Sequence, residues 1–179
     1  LFPKAHAVAY VMMAFRIAWF KVHRPLEFYS AYFYRRSQKD AFDAGMMLKG
    51  RDFVRRKINE IHAKSDATAK EEDLVTTLEA VYEFYMRGFE FAPMDLYECD
   101  ATRFLVVDDK RLRPPFVAIS GLGAAAANDL MSCREGGRRF ISVEELSLAC
   151  PKVSQAHIEQ LRATGALGDM PEESQMTLF

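Results

Sequence analysis

Cysteine is scarce in this chain, with Cys99, Cys133 and Cys150 the only three in 179 residues. An odd number spaced 34 and 17 apart forms neither a zinc-ligand pair nor a disulfide framework, so reduced thiols in a cytosolic protein are the simplest reading. The four histidines, His6, His23, His62 and His157, make no i, i+4 pair and no metal-ligand pattern. No Walker loop, nucleophile elbow or Asp-x-Asp pair is present, and Asp108-Asp109 lies in turn sequence. No catalytic centre of the chain's own is expected. Long apolar runs are missing as well. The longest near the start, Ala7 to Phe15, is nine residues between His6 and Arg16, too short to span a bilayer and without a signal cleavage site. Nor is there an excess of one charge: 24 Lys+Arg face 25 Asp+Glu, which excludes a uniformly basic nucleic-acid binder.

That neutrality is a cancellation. Residues 1–64 carry 13 basic and 5 acidic side chains, and residues 65–110 carry 4 and 12. With half the residues hydrophobic, the chain can build the core of one domain or two small ones. Pro3 suits the start of a helix from Lys4 to about His23, and Arg24-Pro25 ends it, because a residue before proline avoids the α region. Its apolar residues, among them Val8, Tyr10, Val11, Phe15, Trp19 and Phe20, lie on nearly every side, as in a helix from the interior of a large protein. The chain begins Leu1-Phe2-Pro3-Lys4 with no Met, and it is expected to be the C-terminal piece of something longer. Pro25 opens a second helix through about Ser37. A third, Asp52 to Ala63, sets Phe53, Val54, Ile58 and Ile61 on one side, with Arg51, Arg55, Arg56 and Lys57 as a solvated basic face. Thr68 and Glu71 form a capping-box signature for a helix to about Arg87, with a stripe of Leu74, Leu78, Val81 and Tyr85 ended by Gly88. Beyond a soft boundary at 88–95 the texture changes. Residues 103–107 read as a strand, 108–110 as a turn and 111–113 as a return strand, before short helices around glycines. The predicted fold is mainly α: a helical part, then a small α-rich helix-hairpin-helix module entered through a short β-hairpin.

Three places could carry chemistry. In Ile119-Ser120-Gly121-Leu122-Gly123-Ala124-Ala125-Ala126-Ala127 an apolar residue and Gly-x-Gly precede an alanine-rich helix. One reading is a glycine turn between packed helices. The other is a helix-hairpin-helix element, in which Gly121, Leu122 and Gly123 with the N–H groups of Ala124 and Ala125 meet a phosphate of duplex DNA without reading its bases. A more degenerate second copy is traced over Val153 to Leu167, closed by Gly165. The last residues, Gln175-Met176-Thr177-Leu178-Phe179, have the shape of a docking tail, although a frayed end folded on its own core has the same composition. Burying Leu178 and Phe179 yields roughly 3–6 kcal/mol, offset by roughly 1–2 kcal/mol per ordered backbone residue, so such a tail binds weakly alone. Lys4 and His6, beside Phe2, form a helix start suited to a phosphate-bearing ligand, or simply a solvated lysine and a satisfied histidine.

Taken in order, these pieces resemble one family. Phe2-Pro3-Lys4-Ala5-His6-Ala7-Val8-Ala9-Tyr10 with Phe20-Lys21-Val22-His23-Arg24-Pro25-Leu26-Glu27-Phe28-Tyr29 is similar to the finger region of C-family replicative DNA polymerases, most closely the PolC type of the DNA polymerase III α subunit. Arg87-Gly88-Phe89-Glu90-Phe91, Asp95-Leu96-Tyr97 and Pro114-Pro115-Phe116 resemble the segments that follow the fingers. Residues 119–123 resemble the family's duplex-binding helix-hairpin-helix, and residues 175–179 its sliding-clamp tail. Ser120 stands where proline is expected and Thr177 where serine is usual.

The resemblance implies three parts: residues 1–90 as the end of the fingers, 91–170 as the duplex-binding region and 171–179 as the clamp tail. It implies that Phe2, Lys4 and His6 line the pocket of the incoming dNTP, and that Gly121, Leu122, Gly123, Ala124 and Ala125 hold primer-template duplex. Gln175, Met176, Leu178 and Phe179 would dock on the clamp. The Mg²⁺ ions would be bound by palm carboxylates outside this chain, so none is expected within it. Other replisome subunits would be met through the parent chain, in the bacterial cytoplasm at the nucleoid and away from membranes. Two rivals remain: a stand-alone helix-hairpin-helix DNA-binding or repair accessory protein without polymerase activity, and an interaction module whose glycine hairpin is only structural.

Overall fold

A computed structural model describes residues 3–174. The chain runs through α1 (Lys4–His23), α2 (Pro25–Ser37), α3 (Ala44–Met47), α4 (Arg51–His62) and α5 (Ala69–Met86). It then forms β1 (Glu90–Phe91), β2 (Leu105–Val106) and β3 (Arg111–Arg113), followed by a one-turn 3₁₀ helix at Phe116–Ala118. The last elements are α6 (Ala124–Cys133), a 3₁₀ turn at Glu135–Gly137, α7 (Val143–Ala149) and α8 (Gln155–Ala163). The fold is mainly helical, as the sequence predicts.

Local chemistry accounts for the boundaries. Arg24, at φ −138° and ψ 58°, breaks the helix before Pro25, which then serves as the first residue of α2. Thr68 and Glu71 close both halves of the capping box at the start of α5. Gly88, at φ +82°, ends that helix. The buried face of α5 differs from the predicted stripe. Val75, Leu78, Val81 and Phe84 are buried, while Leu74 and Tyr85 lie at its margins. The reason is that α5 is covered on two sides, by α4 and by α2, so its buried sector is wider than a single stripe. The short helix α3 was not legible; Asp43 caps it through the N–H of Gly45 at 2.9 Å.

The three strands form one small sheet in the order β1-β3-β2. β2 and β3 pair antiparallel, with Val106 opposite Leu112, as the predicted turn requires. β1 adds in parallel, with Phe91 opposite Leu112. Aromatic rings join this sheet to the helices. Phe84 lies 4.8 Å from Phe91, Phe42 lies 4.9 Å from Phe104, and Tyr29 packs edge-on to Phe84 at 5.2 Å. Buried side chains from Leu26 to Leu167 make one continuous core cluster.

α1 stands apart from that core. None of its residues is buried, and Phe15 is 73% exposed. The nine-residue run read from the sequence understates it: the whole helix of 20 residues is long and apolar enough, by length and composition, to cross a membrane. Arg16 and Lys21 interrupt it.

Candidate nucleic-acid interface

The glycine hairpin is built from a turn and a helix start. The N–H of Leu122 closes on the carbonyl of Ile119 at 3.0 Å, which places Gly121 third in the turn, where a positive φ is needed. Gly121 supplies it at +81°. Ser120 occupies the second position, where proline is favoured but not required. Ile119 and Leu122 are buried and anchor the turn to the core. Gly123 is the N-cap of α6, with φ −71° and ψ 167° and no side-chain acceptor over the first-turn N–H groups. Ala124 and Ala125 are exposed, while Ala126 and Ala127 are buried. The result is a small, open helix start whose N–H groups and positive dipole end face outward, suited to an anionic oxygen.

A second hairpin braces the first. α7 and α8 are joined by residues 150–154, where the N–H of Val153 closes on the carbonyl of Cys150 at 3.0 Å. Ser154 caps α8, and its own N–H donates to Nδ1 of His157 at 3.2 Å. Because that nitrogen accepts, the ring proton sits on Nε2, which donates to the carbonyl of Gly121 at 3.1 Å. His157 therefore clips the start of α8 to the tip of the glycine turn. The backbone N–H of Lys152 donates to Asp129 on α6 at 2.9 Å, a second tie between the two. The sequence pointed to α8 and Gly165, but not to α7 or to His157, whose partner lies 36 positions away.

The other candidates are placed differently. Lys4 and His6 lie on the exposed first turn of α1, where the His6 ring meets Tyr10 edge-on at 4.5 Å. At 1.5 Å per residue that turn is roughly 25 Å from the foot of the helix. The foot is held firmly. Lys21 and Tyr29 both donate to Glu83, at 2.8 and 2.7 Å, and Arg87 donates to the carbonyl of Lys21 at 2.9 Å. Burial opposes ionisation of Glu83, but the hydrogen bonds from Lys21 and Tyr29 outweigh it and hold its carboxyl below the usual range. Burial pushes the Tyr29 phenol up to about 12; Arg87 lowers it and Glu83 raises it. Phe2, and Gln175, Met176, Leu178 and Phe179 of the tail, lie outside the described residues.

The helix-hairpin-helix motif family matches residues 88–176. Over all of its residues the chain is 45% identical to the PolC-type DNA polymerase III of Thermotoga maritima. It is 47% identical to that of Oceanobacillus iheyensis and 46% identical to that of Streptococcus pneumoniae serotype 2, again over the whole chain. Along its whole length the chain matches PolC-type DNA polymerase III. It corresponds to the C-terminal region of its relatives and spans only 12–13% of their length.

Within this segment, the residues leading into the C-terminal tail are fixed. The carbonyls of Pro171 and Glu172 accept from the first-turn N–H groups of Val143 and Glu144 at 2.9 and 3.0 Å, and Glu172 pairs with Arg162 at 2.5 Å. Among the described residues no cluster of three His, Cys, Asp or Glu is arranged to hold a metal. The paired carboxylates do not fit Mg²⁺, since Asp108 is committed to the turn N–H groups of Lys110 and Arg111 and to the Arg111 guanidinium. The thiols are free, and burial pushes Cys99 up to about 11, which makes it a poor nucleophile.

Proposed function

We propose that this chain is the duplex-holding and clamp-tethering end of a bacterial replicative DNA polymerase that extends primers on a DNA template. The observation that carries the reading is the Gly121–Ala125 helix start: small, uncapped, exposed and braced by His157, on a chain whose relatives are DNA polymerases along its full length. Its N–H groups would grip backbone phosphates without regard to sequence.

On this reading residues 1–90 end the fingers, with Lys4 offering a positive charge to the dNTP triphosphate and Phe2 and His6 forming the adjoining wall. Residues 91–170 hold product duplex, and residues 171–179 dock on the sliding clamp through Gln175, Met176, Leu178 and Phe179. The metal ions of phosphoryl transfer are Mg²⁺ held by carboxylates elsewhere in the polymerase. The exposed apolar surface of α1 supports burial against that larger polypeptide in the cytoplasm, where the polymerase meets other replisome subunits at the nucleoid. Duplex grip and clamp tether act on one assembly, so two weak contacts add avidity and processivity.

Three experiments test the reading. The isolated chain should incorporate no nucleotide, and the reading frame upstream of Leu1 should continue into a region with paired aspartates. Primer extension by the pure chain would contradict the reading, and a start codon immediately before Leu1 would favour a free-standing accessory protein instead. Deleting Leu178 and Phe179 should abolish binding to a sliding clamp while leaving duplex binding unchanged.

A further inference from the structure

Duplex binding through counterion release needs cations, because backbone N–H groups carry no net charge. The glycine hairpin and α6, Ile119 to Cys133, contain no lysine or arginine. The charge must come from elsewhere on the same surface. A cleft of about 420 Å³ lies beside the hairpin, lined by Ser120, Gly121 and Gly123 on one wall and by Lys70, Asp40 and Asp43 on the other. A smaller adjoining cleft is lined by Ser120 together with Lys39 and Lys70. Both lysines are exposed, and no ion pair is formed by either among the described residues. Lys70 sits on the first turn of α5, where the helix dipole disfavours a cation, so its charge does not serve that helix.

Of the acidic neighbours, Asp73, which lines the smaller cleft, pairs with Arg36 at 2.7 Å. Asp43 accepts from the backbone N–H of Gly45, and neither it nor Asp40 has a cationic side-chain partner among the described residues.

From this arrangement we infer that Lys39 and Lys70, supplied by the helical half of the chain, complete the duplex grip by neutralising backbone phosphates next to the one held at the hairpin. The inference rests on the reading of the hairpin given above, and it makes the interface composite: a neutral turn fixes position, and two cations from distant sequence supply the charge.

The test is binding of a fluorescent, blunt 20-base-pair duplex to the full chain across a salt series. The unchanged chain should give a slope of log K against log salt of roughly −2 to −3, as for two or three neutralised phosphates. The double variant Lys39→Ala, Lys70→Ala should flatten that slope by about two, since each neutralised phosphate contributes about 0.9. Its affinity at low salt should fall several-fold. Lys39→Arg, Lys70→Arg should keep the original slope, and so should Lys110→Ala, a change at the β2–β3 turn outside both clefts. If the double alanine variant keeps slope and affinity while a bulky change at Gly123 weakens binding, the lysine assignment is wrong and the hairpin reading stands. Binding by the unchanged chain that is absent or insensitive to salt overturns both. Circular dichroism of each variant checks that a lost slope is not lost folding.

Discussion

At the scale of single residues, the two hairpin glycines serve different physical ends within this structure. A Cβ at either would meet open space. Gly121 is needed for its backbone: at φ +81° an L side chain is strained, so Gly121→Ala should cost about 1–2 kcal/mol and lower the melting temperature. Gly123 has an ordinary φ of −71°, so Gly123→Val costs the weaker N-capping of valine but no left-handed strain. Its side chain would instead stand at the mouth of the helix start and hold a phosphate away. Duplex affinity should drop for both variants, with the larger loss of thermal stability in Gly121→Ala. His157 is the third residue to test. His157→Ala removes the acceptor of the Ser154 N–H and the donor to the Gly121 carbonyl, so about 1 kcal/mol of stability should go. Faster amide exchange at Leu122 would report the loosened turn. The glycines were legible because a positive φ and a close approach both select glycine. His157 was not, because nothing local marks a histidine that caps its own helix as also reaching another turn.

At the scale of elements, the start of α5 and the foot of α1 carry the measurable energetics. Thr68→Ala removes one half of the capping box and should destabilise the chain by about 1 kcal/mol in urea unfolding. Glu71, the other half, is held down to about 2, first by its hydrogen bond from Lys64 and then by the Thr68 N–H. Its folded value lies below the ordinary 4.5, so its contribution is present above pH 4.5 and is lost as pH falls toward 2. A pH series of unfolding midpoints should therefore drop more steeply over that window in the native chain than in Glu71→Gln. Tyr29 has the opposite sign. Its value is raised from 10.0 to about 12, so the stability it contributes is full below pH 10 and is lost as pH rises through 12. Glu83→Gln should weaken the grip of Lys21 and Tyr29 on the foot of α1, and hydrogen exchange should rise around residues 20–30. The long helices were readable from proline, capping box and glycine signals, which act over three or four residues. β1 and α3 were not, since two to four residues carry too little pattern, and the parallel pairing of Phe91 with Leu112 depends on contacts 21 positions away.

At the scale of the whole molecule, the chain combines a well-packed body with a helix that has no buried residue. The all-round apolarity of α1 was plain in the sequence, and it signals missing neighbours, because a helix of that composition cannot hide its surface alone. The neutral charge total hid a different feature. A basic first third and an acidic middle third are brought together by folding, so that Lys39 and Lys70 border a hairpin that has no charge of its own. No reading along the chain makes that juxtaposition visible; the packing of α5 and the α2–α3 connection against the hairpin creates it. The central claim is that the Gly121–Ala125 helix start grips DNA by its backbone. It is tested most directly by measuring the affinity of the chain, and of Gly123→Val, for two duplexes of equal length and unrelated sequence at one salt concentration. The account predicts equal affinities of the native chain for both duplexes and an equal, severalfold loss for both in the variant. A clear preference of the native chain for one sequence, or a variant that binds as well as the native chain, would contradict it.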